Sequence, residues 1–90
     1  MENNVYLSVM GNGRAVVKIN GDKFSIPSGS TEQICLPVGV HIMVIKTKKR
    51  GFTLTGNKTY NTKIVVAANK QYSVEINIGR AVTRIEVEEV

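Results

Sequence analysis

Gln71-Tyr72-Ser73-Val74-Glu75-Ile76-Asn77-Ile78 decides the fold class of this chain. On an extended backbone Tyr72, Val74, Ile76 and Ile78 point one way, and Gln71, Ser73, Glu75 and Asn77 the other. Such alternation predicts a strand with one buried face and one wet face. The same period continues outward in both directions. Downstream, Gly79-Arg80 turns the chain. Val82 to Val90 then reads as a last strand, with Thr83, Ile85 and Val87 inward and Arg84, Glu86 and Glu88 outward. Upstream, Asn69-Lys70 is a turn and Tyr60 to Ala68 a strand.

The first half follows the same rule. Val5, Leu7 and Val9 share a face in the run from Val5 to Met10, which Gly11-Asn12-Gly13 ends. Ala15, Val17 and Ile19 align in the next run, from Arg14 to Ile19. Asn20-Gly21 follows, and a type I′ hairpin turn needs positive φ at both central residues, which Asn and Gly tolerate best. The chain returns as Asp22 to Ile26, loops through Pro27-Ser28-Gly29-Ser30, and runs on as Glu32 to Leu36. Pro37-Val38-Gly39 makes the next turn. Val40 to Thr47 is apolar on both faces at its start, which predicts a central strand covered on both sides. Lys48-Lys49-Arg50-Gly51 reads as an exposed basic turn. Phe52 to Thr55 reads as a short strand and Gly56-Asn57-Lys58 as another turn.

No helical period appears anywhere, and Val, Ile and Thr dominate, as suits a pleated surface. The expectation is a single all-β domain over residues 1–90. It is a small antiparallel β-sandwich, Ig-like or PEGA-like, of about seven to nine short strands, with a barrel as the alternative.

Composition narrows the function classes. The 90 residues are 42% hydrophobic and 21% charged, ordinary for a globular chain. The one cysteine excludes an intrachain disulfide. Met1-Glu2-Asn3-Asn4 has neither a basic n-region nor an apolar h-region, so a cytoplasmic location is expected. Val38 to Ile45, the longest apolar-rich run, is far short of the roughly 20 residues of a membrane-spanning helix. The net charge is +5, and its distribution is uneven. No acidic residue lies between Glu32 and Glu75, a stretch that holds Lys46, Lys48, Lys49 and Arg50, then Lys58, Lys63 and Lys70. One part of the surface should be clearly positive.

Three segments together resemble a known family. Val17-Lys18-Ile19-Asn20-Gly21-Asp22 is similar to a strand entering an I-D-G-type hairpin. Leu36-Pro37-Val38-Gly39-Val40-His41-Ile42 is similar to an L-P-P-G-x-H step into the next strand. Gln71-Tyr72-Ser73-Val74-Glu75-Ile76 has the form of a Y-x-V-x-I closing strand. In this order, over roughly Arg14 to Ile78, they resemble PEGA-like modules, small bacterial β-sandwich domains. Ser28-Gly29-Ser30-Thr31 stands where that family has a G-x-T-P step, and no Pro-Gly-Ala precedes the hairpin. The resemblance implies a non-catalytic binding or scaffolding unit and names no ligand.

Catalytic chemistry has little to work with. His41, the only histidine, should lie with Met43 and Ile45 as a hydrogen-bonded strand residue, and no triad pattern accompanies it. Cys35, between Ile34 and Leu36, is expected to fill the core as a small apolar residue. One Cys and one His make no zinc site within one chain, so no metal and no cofactor are expected. Gly11-Asn12-Gly13-Arg14 leads into a strand, whereas a phosphate loop leads into a helix. Glu86, Glu88 and Glu89 crowd one strand with no opposed carboxylate, which suits a solvated edge.

The best candidate site is the basic segment Lys46, Lys48, Lys49 and Arg50, extended by Lys58 and Lys63, with Phe52 or Tyr60 as stacking surfaces. The plain alternative is a solubilising turn. The expected function is a non-catalytic protein–protein interaction or self-assembly module, a homo-oligomer through edge-strand pairing being one form. A nucleic-acid-binding β domain using the basic turn 46–50 is the alternative.

Overall fold

Among the described residues, eight strands in two four-stranded sheets build the domain. The computed structural model describes residues 2–49, 57–79 and 82–90. Its strands are β1 (Glu2–Gly11), β2 (Gly13–Ile19), β3 (Asp22–Pro27), β4 (Thr31–Pro37), β5 (Gly39–Lys49), β6 (Asn57–Val66), β7 (Tyr72–Ile78) and β8 (Thr83–Glu89). The first sheet has the order β4-β1-β7-β8 and the second β3-β2-β5-β6. They pack as a sandwich, not as a closed barrel. The expected short strand from Phe52 to Thr55 lies outside the described residues.

Alternation sorts the side chains. Val5, Leu7 and Val9 of β1 and Tyr72, Val74, Ile76 and Ile78 of β7 face inward from the first sheet. Ala15, Val17 and Ile19 of β2, Met43 and Ile45 of β5, and Ile64 and Val66 of β6 meet them from the second. Phe24, Tyr60 and Ile85 pack against this core from its margins. Each fully buried aliphatic side chain contributes about 1.5–3 kcal/mol of burial energy.

The turns follow local chemistry. Asn20 has φ 52° and Gly21 φ 83°, so the Asn-Gly pair closes the β2–β3 hairpin with both residues in the left-handed region. His41 is buried and ties this hairpin down. Its Nε2–H donates to the Pro37 carbonyl at 2.8 Å, which leaves Nδ1 to accept from Asn20 Nδ2 at 3.2 Å.

Several expectations need correction. Most neighbouring strands do pair antiparallel, as expected, and among the described residues the exception is β1, which pairs with β7 in parallel, Val5 opposite Tyr72 and Gly11 opposite Ile78. The chain leaves the first sheet after β1, re-enters it at β4 on one side of β1, and reaches the other side of β1 only at β7. β5 is central in its sheet but covered on one side only. Val40 and Ile42 are 62% and 55% exposed, because a two-layer sandwich has no third layer to cover them. Lys48, Lys49, Asn57 and Lys58 are strand residues, not turns, since the β5–β6 ladder runs out to Lys48 opposite Asn57. Val87, expected inward, is 36% exposed because β8 is an edge strand at the margin of the core.

Cys35 is exposed rather than core. Ile34 and Leu36 take the inward positions of β4, so alternation turns Cys35 outward, where its thiol donates to Asn4 Oδ1 at 3.4 Å. Residue-type preference for burial loses here to the period of the strand.

Candidate functional site

The register of the second sheet collects cations on its outer face. Arg14 of β2 lies opposite Lys48 of β5, and Lys46 lies opposite Val16. Lys18 lies opposite Lys23 of β3 on one side and Val44 on the other. Lys63 of β6 lies opposite Ile42. All six cations, Arg14, Lys18, Lys23, Lys46, Lys48 and Lys63, are exposed and point away from the core. Successive outward rows of a strand are ~7 Å apart.

Among the described residues, this face carries no carboxylate and no aromatic side chain, and none of the six cations forms an ion pair. Lys70, by contrast, pairs with Glu89 at 3.1 Å near the C-terminus. Two of the rows set like charges directly across a ladder, Arg14 against Lys48 and Lys18 against Lys23. Such pairs are destabilising. A depression of about 300 Å³ opens on this face, lined by the apolar Val16 and Val44 together with Arg14, Lys18, Lys46 and Lys48.

The sequence-predicted site is thus partly reassembled. Lys46, Lys48 and Lys63 share the outer face, and Lys58, opposite the buried Thr47, joins the lining of the depression. Lys49 is the last residue of β5. Arg50 and Phe52 lie outside the described residues. Tyr60 is not a stacking platform, because its position in β6 turns it inward against the core.

Sequence reading missed Arg14, Lys18 and Lys23. They lie far upstream of the basic run and join it only through the β2–β5 and β2–β3 ladders. Part of the signal was present, since Arg14 and Lys18 alternate with the inward Ala15, Val17 and Ile19 of β2, whereas the run holding Lys23 was recognised only as the return of a hairpin.

The far end of the same face is apolar. Val40 and Val65 are cross-strand partners, and with Ile42 and Val38 they are 54–62% exposed. The first sheet presents the opposite sign. Glu75 lies opposite Glu86, and Ser73 opposite Glu88, with Arg84 opposite Asn77. The sandwich therefore carries a basic face and a mainly acidic one, back to back. Among the described residues, no three His, Cys, Asp or Glu side chains are grouped to hold a metal ion.

No family model matches the chain, and neither does any curated protein. Among solved structures the outcome differs. The sandwich is similar to a segment of pneumolysin. The match is to the crystal structure of wild type pneumolysin, with a TM-score of 0.64 and 15% sequence identity. It covers 97% of this chain and 23% of the pneumolysin chain. At that identity the likeness to pneumolysin is one of fold, and a fold hosts many functions.

Proposed function

We propose that this chain is a non-catalytic interaction module that docks an anionic macromolecule on the outer face of its second sheet. The observation that carries the reading is six exposed cations on one sheet face with no carboxylate among its described residues. A surface built only for solubility gains by interspersing both signs. This face instead keeps two like-charge cross-strand pairs, a local cost that a binding role explains. The resemblance to PEGA-like modules supports a binding unit rather than an enzyme.

The test is fluorescence anisotropy with two polyanions, poly-L-glutamate and a mixed-sequence DNA duplex, at about 0.05 M salt, where phosphate and carboxylate contacts are least screened. At least one should bind saturably, and Lys18→Glu with Lys46→Glu and Lys48→Glu should abolish the complex. Binding of neither sinks the proposal.

Self-assembly is the second reading. It is favoured by the exposed patch of Val38, Val40, Ile42 and Val65 and by the opposite signs of the two outer faces. Light scattering at rising concentration decides it. A defined oligomer that Ile42→Lys dissociates supports assembly, and a monomer throughout removes it.

A further inference from the structure

Resting on that docking reading, we infer that the anion held by the second sheet is the phosphate backbone of a nucleic-acid duplex, gripped without reading its sequence.

The kind of cation is the first ground. Five of the six are lysines, and Arg14 is the exception. Cores of protein–protein interfaces are depleted in Lys and enriched in Tyr, Trp, Phe, Met and Arg. The described residues of this face supply none of those aromatics, and Met43 is turned into the core. Phosphate binding needs only point charges, which lysine provides.

The second ground is spacing. Moving along the face from Arg14 and Lys48, the next row holds Lys46, the next Lys18 and Lys23, and the last Lys63. Four successive outward rows therefore each offer a cation, at ~7 Å steps over ~20 Å, before the face ends in the apolar Val40–Val65 row. A nucleic-acid backbone is a regular array of charges, one per ~1.7 Å of duplex axis. The carboxylates on a folded acidic protein have no such regularity.

The third ground separates duplex from single strand. Sequence-tolerant single-strand binders stack bases on aromatic rings. Tyr60 and Phe24 pack against the core, and Tyr6 belongs to the first sheet. Among the described residues this face carries no ring for bases to stack on, which favours contact to phosphates over contact to bases. The back-to-back charge of the sandwich orients the encounter, since Glu75, Glu86 and Glu88 repel the same polyanion from the first sheet.

The experiment is a salt titration of binding to a mixed-sequence duplex of about two helical turns, with salt dependence as the readout. If five cations engage phosphates, the slope of log K against log salt is about −4.5, and affinity falls about 500-fold between about 0.05 and 0.2 M salt. Lys18→Gln and Lys63→Gln should each lower the slope magnitude by about 0.9 and weaken two unrelated duplex sequences equally. Glu75→Gln should leave the slope unchanged. Circular dichroism of each variant confirms that it is folded. Poly-L-glutamate binding while duplex does not would overturn this inference and leave the docking reading standing. Silence from both overturns both. Duplex binding with a slope indifferent to Lys18→Gln and Lys63→Gln would place the contact elsewhere and equally defeat the inference.

Discussion

Gly11 and Cys35 show how far single residues obey local rules. Gly11 ends β1 with φ 98°, against the end of β7, and an added Cβ would collide with the Ile78 carbonyl. Space and backbone conformation both demand glycine there. Gly11→Ala should therefore destabilise the fold by about 2–3 kcal/mol, read as a lower urea midpoint with unchanged m-value. An effect under about 0.5 kcal/mol, ordinary for an unremarkable surface site, would show that the backbone relaxes freely. Cys35 makes the opposite point. Its exposed thiol on β4 should react fully with a disulfide reagent such as DTNB in the native protein, without denaturant. Protection until unfolding would mean that the thiol is buried after all.

At the scale of elements, the ladder decides what strand patterns cannot. Alternation in β2, with Ala15, Val17 and Ile19 on one side, implies that Lys18 points to the other, but only the β2–β3 register sets it opposite Lys23. The Asn20-Gly21 turn made that one pairing legible in advance, since a two-residue I′ turn fixes the hairpin register. Removing one like charge should then help the fold while harming the site. Lys18→Glu is expected to stabilise the domain by about 0.2–1 kcal/mol through a new pair with Lys23, while weakening polyanion binding. Thermal melts and anisotropy on the same sample check both halves. A variant that loses both stability and binding would mark Lys18 as a structural residue. The long β5–β6 ladder was less legible. The basic run around Lys48 read as a turn because charge and glycine nearby resemble turn chemistry, yet the strand pairing extends through it.

The whole molecule is one thin core shared by two sheets, within 41 × 22 × 17 Å. Four of its connections, after β1, β3, β4 and β6, cross from one sheet to the other, so neither sheet is a contiguous piece of chain. The two should unfold together. Met43→Ala, which empties part of the centre of the second sheet, is expected to cost about 2–5 kcal/mol. It should keep a single urea transition, coincident by circular dichroism and tyrosine fluorescence. Separate transitions would show that one sheet survives alone. The division of sign between the two outer faces also exists only at this scale, because Glu75 and Lys46 belong to strands that never pair.

What the sequence determined by itself is the all-β class, the inward sets of β1, β2 and β7, and the Asn20-Gly21 hairpin. Each rests on a period of two or on the φ preference of a turn, both local properties of the chain. Only the tertiary structure decided that two sheets form rather than a barrel, that β1 runs parallel to β7, that Cys35 and Ile42 face solvent, and that Arg14, Lys18 and Lys23 join Lys46 and Lys48. These depend on which strands become neighbours. That choice is made by long-range burial and register, which alternation along one strand does not encode.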